Sequence, residues 1–200
     1  MGSRMMHLLI ANRICEEAPI QDRTSFLRGS LAPDASRSKE RSHFYAGKEE
    51  DYSRFILYDS FLKKYQHLQE HDFIKGYYTH LIADHLWLSG FYLSWLRNRM
   101  AVNDRVHSEY HHDFRLLNSK LLNHYGAREE VMEDLLNPVE GLPIDEVEEK
   151  EIEAFIPSAL EDFQWQSSHL EEPLSIFTFD QIIGYIETAV DQSVQALNRL

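Results

Sequence analysis

The sequence predicts an all-α fold, and three observations carry that expectation. Gly (8) and Pro (6) are scarce over 200 residues, so turn formers are too few for an all-β chain. Apolar residues recur at helical rather than alternating spacing along most of the chain. Capping residues and prolines fall at the ends of the periodic stretches, where helices start and stop.

The elements follow in order. Residues 4–15 carry Met5, Leu8, Leu9 and Ile14 on a helix that Ser3 can cap and Pro19 closes. "DRTSFLRGSL" reads as a short helix running into "APDASRSKERSHFYAGKEE", a long polar loop of the kind that often carries function. Residues 50–69 are expected as a helix with Tyr52, Phe55, Ile56, Phe61, Leu62 and Tyr65. Residues 72–97 form the most hydrophobic helix, apolar nearly all round and so central and buried. Residues 104–125 are a further helix with Tyr110, Phe114, Leu117, Leu121 and Leu122, and "REEVMEDLLN" is a short one stopped before Pro138. "VEGLPIDEVEEKEIEAFIPSALEDF" is a peripheral linker and helix whose charge run is a solvated face. In the last stretch Thr178 and Gln181 fit a capping box, and Ile182, Ile186, Ala189 and Val190 share a face.

This organisation implies a single helical domain over 1–200. Residues 1–125 are its chemistry-bearing core, 138–175 an acidic peripheral segment, and 178–200 a terminal helix packed on the core. Hydrophobic residues at 43% and charged residues at 26% are ordinary globular values, so a sizeable core is expected. The net charge of −13 argues against nucleic-acid backbones and anionic membranes as partners. It does not exclude a small phosphate ester, because bound metal ions reverse the sign locally. Cys15 is the single cysteine, which excludes a disulfide framework and Cys-rich zinc sites. The first residues lack a secretory apolar run and no stretch is long enough to span a membrane, so a cytoplasmic protein is expected.

Histidine is the one surplus that bears on chemistry: there are 11, several beside acids. In "GYYTHLIADHLWLSGFY", His80 and Asp84 stand four apart on the greasiest helix, so both can aim at one point. They suit a divalent metal, or equally a buried His–Asp hydrogen bond between helices. His7 lies among apolar residues on the first helix, Asp34 follows Pro33, and His43 precedes Phe44. Singly these read as a core histidine, a turn or cap residue and a loop histidine. Jointly the five supply enough ligands for two ions sharing one carboxylate.

The ordered set "MHLLIA", "GSLAPDA", "KERSHF" and "GYYTHLIADHLW" resembles the zinc-dependent phospholipase C family, whose helical fold is also that of the S1/P1-type nucleases. The resemblance covers roughly residues 4–125. It implies that His7, Asp34, His43, His80 and Asp84 bind clustered zinc ions, with Asp84 bridging two of them. The chain departs from secreted members of that family in starting with Met rather than a metal-binding Trp, and in having no HxxxE pair for a third zinc. One or two ions are therefore expected, most simply Zn²⁺, with Mn, Fe or Ni also suited to His/carboxylate ligands. The implied activity is hydrolysis of a small-molecule or lipid-like phosphoester. Asp34 or Asp84 would orient the attacking water, and Asp113 is a candidate ligand or general base.

Other candidates surround this set. "RVHSEYHHDFRLLN" also offers His107, Glu109, His111 and His112. Arg28 and Lys39 flank the ligand-bearing loop and can contact phosphate; Tyr77, Tyr78 and Trp87 can line a pocket. His85 is expected to point away from the His80/Asp84 face or to support it, and His67 and His71 to lie at the surface. His112–Asp113 is an HD dyad, so an HD-domain-like nucleotide phosphohydrolase is the second reading. A non-catalytic helical metal-binding protein is the third.

Overall fold

The computed structural model describes residues 3–137, 139 and 144–200. The expected stop at Pro138 and residues 140–143 of the acidic segment lie outside the described residues, as do residues 1 and 2. The fold is all-α, with a single two-stranded hairpin among the described residues. No helix among the described residues is long and apolar enough to cross a membrane.

Helix α1, Arg4–Glu17, begins where Ser3 accepts a hydrogen bond from the Met6 backbone N–H. Helix α2, Arg23–Ala35, is longer than its sequence suggests. It runs through Pro33, so Asp34 sits on its last turn and not in a loop. Proline in a helix interior costs about 3 kcal/mol. Here the whole stretch Ser25–Pro33 is buried, and tertiary packing outweighs the local penalty.

That packing is against α5, Asp72–Trp87, which makes its most extensive contact with α2. The two helices are tied at three levels. At the start, Asp72 accepts from the backbone N–H groups of Gln21 (2.9 Å) and Asp22 (2.7 Å). In the middle they cross at glycines: a Cβ on Gly29 would lie 2.1 Å from the Phe73 carbonyl oxygen, and one on Gly76 would lie 2.0 Å from that of Phe26. One turn further, His80 Nδ1 lies 2.7 Å from the Ser30 carbonyl oxygen. Asp34 follows Ser30 by four residues, so the helical repeat turns it toward His80.

Between these helices the expected loop contains a short helix, α3 (Lys39–Ser42), and strand β1 (Tyr45–Ala46). The expected helix over 50–69 begins only at α4, Tyr58–Lys64; before it, β2 (Phe55–Ile56) pairs antiparallel with β1. Local chemistry explains the difference. Asp51 accepts from the N–H and hydroxyl of Ser53 (3.0 and 2.5 Å), which offers the backbone a turn in place of a helix. Tyr52 sits in the left-handed region at φ 62°.

Beyond Trp87 the helical path continues as a π-helical stretch, Leu88–Leu96, and then α6, Arg97–Val102. Hydroxyls of Ser89 and Ser94 donate to the carbonyls of His85 and Ser89, within the ladder that widens there. Helix α7, Arg105–Tyr125, stops at Gly126 in the left-handed conformation. Helices α8 (Arg128–Leu136), α9 (Glu149–Glu161) and α10 (Ser168–Glu171) follow. The last helix, α11 (Phe179–Leu197), has the expected Thr178–Gln181 capping box. It buries Ile182, Tyr185, Ile186, Ala189 and Val190 and packs on α1 and α5. Helix α5 is thereby enclosed by α1, α2, α4 and α11, and its middle turns are sealed from solvent.

Candidate metal centre

The five side chains expected as ligands meet at one place. His7 comes from α1, Asp34 from the end of α2, His43 from just after α3, and His80 and Asp84 from α5. Two overlapping groups have ligand atoms within 4.8 Å of one another: His7, Asp34 and His80, and His43, His80 and Asp84. His7, His43, His80 and Asp84 are almost wholly buried, and Asp34 is the most exposed of the five.

The spacings match a coordination shell. His7 Nε2 is 3.3 Å from Asp84 Oδ1, and His43 Nε2 is 3.3 Å from Asp84 Oδ2. The Nε2 atoms of His43 and His80 are also 3.3 Å apart, and His43 Nε2 is 3.6 Å from Asp34 Oδ1. Ligands about 2.0 Å from a tetrahedral ion are separated by about 3.3 Å. The two oxygens of Asp84 thus address different sides: Oδ1 faces His7, while Oδ2 faces His43 and, at 3.8 Å, His80.

The outer ring nitrogens fix which lone pairs point inward. His80 Nδ1 faces the Ser30 carbonyl and therefore donates. His43 Nδ1 faces the Lys39 carbonyl at 3.1 Å and the Ser42 hydroxyl oxygen at 3.0 Å; that hydroxyl gives its own proton to the Pro33 carbonyl. His43 Nδ1 therefore donates too. The Nε2 atoms of both rings are left as lone pairs aimed at each other and at Asp84. Buried lone pairs and carboxylates facing one another repel unless a cation lies among them. His7 stacks on His80, with ring centroids 3.7 Å apart, and its Nδ1 has no hydrogen-bond partner among the described residues.

Electrostatics favours the metal-binding forms. Burial holds His80 well below the usual histidine range, and the His7 ring beside it adds to that, so His80 is neutral. Burial opposes ionisation of Asp34 and Asp84, but it is overcome. The histidine rings set against each carboxyl offset it, His43 foremost at Asp34 and His7 at Asp84. Both carboxyls lie well below the usual range. Neutral imidazole and ionised carboxylate are the states that ligate.

A cavity of about 340 Å³ lies on the far side of Tyr45 from His43, lined by Tyr45, Glu49, Arg54, Trp87, Tyr92 and Tyr110 among others. Tyr45 joins cavity to centre: its ring lies parallel to that of His43, centroids 5.5 Å apart. Phe44 between them adopts φ 52°, a left-handed conformation that costs a non-glycine residue about 1–3 kcal/mol. That turn lets the rings two residues apart stack. Burial and the nearby Asp84 carboxylate raise the Tyr45 phenol above its usual range, so it stays protonated. None of the five residues lines this cavity or those of about 560 and 570 Å³ elsewhere.

Other expected site residues have different uses. Asp113 is fully buried and accepts from three backbone N–H groups, those of Ser175 (2.8 Å), Ile176 (2.8 Å) and Phe177 (3.1 Å). It braces the segment entering α11 and belongs to neither ligand group. Asp113→Ala is expected to destabilise the protein by about 3 kcal/mol or more, since three N–H groups lose a charged acceptor. Urea unfolding reads that loss, and metal content should stay unchanged; a general base or ligand would show the opposite pattern. His112 lies at the surface, 2.7 Å from Glu172, so the HD pair faces two ways.

Arg28 is buried and structural, bonded to Glu153 and to the carbonyls of Leu135 (3.3 Å) and Asn137 (2.8 Å). Lys39 lies 3.3 Å from Asp34 Oδ1. Tyr77 donates to the Ser42 carbonyl at 2.7 Å and so steadies the residue before His43, while Tyr78 turns toward Asp59. His85 stands edge-on to Tyr58 and joins neither group. His71 caps α5, its Nδ1 accepting from the Phe73 N–H. Sequence reasoning missed Ser30, Ser42, Tyr45, Arg54 and Tyr110. The only local signal was "HFY", which sets Tyr45 two residues after His43.

Compared with known proteins, the chain matches no family model, no curated protein and no solved structure.

Proposed function

We propose that this protein is a metal-dependent hydrolase of phosphate esters, holding one or two divalent ions, most simply Zn²⁺, through His7, Asp34, His43, His80 and Asp84. One observation carries the reading: two imidazoles with outer nitrogens committed to carbonyls turn their inner lone pairs toward each other and toward Asp84. Such a cluster is stable with a cation inside it. When bound, the ion supplies a Lewis acid for a phosphoryl oxygen and a lowered pKa for the attacking water.

The chain's own residues do the rest. Asp84, with Oδ1 toward His7 and Oδ2 toward His43 and His80, would be the central ligand of the set. Asp34 is the ligand nearest solvent and remains an acceptor, so it orients the incoming water through its carboxylate oxygens. Tyr45, Trp87, Tyr92 and Tyr110 line the cavity beyond His43 and would leave room there for the ester's organic part. Phosphate esters as the class rest on the charge logic of the centre and on the resemblance of the ordered motifs to the zinc-dependent phospholipase C family. Phospholipase activity in particular is not part of the proposal.

The experiment is turnover of p-nitrophenyl phosphate and bis-p-nitrophenyl phosphate by protein reconstituted with Zn²⁺ or Mn²⁺. Hydrolysis should appear with metal, vanish with chelator, and be lost in His80→Ala. A protein that binds metal stoichiometrically yet turns over neither ester is a non-catalytic metal protein, and the hydrolase reading is then wrong.

A further inference from the structure

We propose that Arg54 is the phosphate-positioning residue of this centre: it exchanges its ion pair with Glu40 for the non-ligating oxygens of a phosphate bound at the metal. The inference rests on the metal-dependent reading above and adds to it a residue that the ligand set does not include.

Four observations converge on Arg54. Its guanidinium lies over the Tyr45 ring, 4.1 Å from the centroid, and that ring stacks in turn on His43. Imidazole, phenol and guanidinium therefore form a column from a candidate ligand into the cavity. Arg54 lines that cavity together with Tyr110 and Trp87, the latter less than one turn beyond Asp84 on α5. Its charge is mostly covered, with the side chain 18% exposed, yet the carboxylate it pairs with belongs to Glu40, which is 70% exposed. Glu40 is largely solvated and can return to water, and a phosphate taking its place gives the covered guanidinium a new anionic partner. Finally, β2 begins one residue after Arg54, and its pairing with β1 fixes the arginine beside Tyr45.

Guanidinium chemistry fits the role. Its planar fork of donors matches two phosphate oxygens at once, and the tyrosine face beneath it restricts its orientation. The metal side of the centre would hold other phosphate oxygens, so the anion would be gripped from two directions. Glu40 competes for the same donors and sets the resting position of the fork.

The test uses inorganic phosphate as the probe and calorimetry as the readout, on zinc-loaded full-length protein. Arg54→Ala should weaken phosphate binding by about 10- to 100-fold, and Arg54→Lys should recover part of the loss. Glu40→Gln breaks the same ion pair but frees the guanidinium, so phosphate should bind as well as in the parent or a few-fold more tightly. A merely structural ion pair predicts instead that Glu40→Gln and Arg54→Ala behave alike. Zinc stoichiometry, measured on each variant, should not change. If zinc binds normally and phosphate affinity differs by less than twofold between parent and Arg54→Ala, the proposal is overturned while the metal reading stands. If the parent binds no zinc, both fall together.

Discussion

Asp84→Asn is expected to lose zinc affinity by more than 100-fold, because groups that only support a ligand already cost about 10- to 100-fold when removed. The substitution keeps the shape and volume of the side chain but removes its charge. Both oxygens of Asp84 are in use, Oδ1 3.3 Å from His7 and Oδ2 3.3 Å from His43. Asparagine offers a single neutral oxygen and turns an N–H₂ donor toward the other side. It would aim that donor at an imidazole, not at a cation, and so favours the metal-free state. Zinc titration with a chromophoric chelator as competitor gives the affinity directly. If Asp84 merely joined helices through hydrogen bonds to histidine, asparagine would retain one such bond and zinc affinity would be the same for both proteins.

Gly76→Ala should be the most damaging conservative change in the helical core. The new methyl group would stand 2.0 Å from the Phe26 carbonyl oxygen, and the neighbour is backbone on a buried helix, so it cannot step aside alone. Helices α2 and α5 must separate, which costs about 4 kcal/mol at the upper end of overpacking effects. The same separation draws the Ser30 carbonyl away from His80 Nδ1 and moves Asp34 off the cluster, so zinc affinity should fall with stability. Gly184→Ala is the control: it lies within α11 with nothing within 4 Å of the added Cβ, and it should raise stability by up to about 1 kcal/mol. Urea midpoints of the two variants, one far below and one at or above the parent, distinguish this crossing from a general intolerance of alanine.

The legible and the hidden parts of this molecule divide along one physical line. Helices α1, α5, α7 and α11 were legible because each carries its own periodicity and end signals, such as Ser3 and the Thr178–Gln181 box. The facing of His80 and Asp84 was legible for the same reason, since four residues are about one helical turn. The extent of α2 was not, because Pro33 argues locally for a break and only burial against α5 overrides it. The hairpin at 45–56 reads as loop and helix in sequence because its formation depends on a side-chain turn at Asp51 and on left-handed residues at 44 and 52. The groups that orient the centre were invisible in principle. Ser30 and Lys39 act through backbone carbonyls, which every residue possesses, and Arg54 is set beside Tyr45 only by strand pairing. The role of Asp113 is not legible either, because an acid beside an apolar helix face looks the same in sequence whether it meets water, metal or three amide groups.

The central claim is that the His43–His80–Asp84 cluster exists to hold a cation. Elemental analysis of the purified full-length protein, followed by zinc calorimetry on the chelator-treated sample, tests it most directly. The account predicts one or two zinc equivalents per chain, bound with sub-micromolar affinity and absent from a His80→Ala, Asp84→Asn double variant. Protein that carries no metal as purified and takes up neither Zn²⁺ nor Mn²⁺ would contradict it, and the cluster would then be a buried hydrogen-bond junction between α1, α3 and α5.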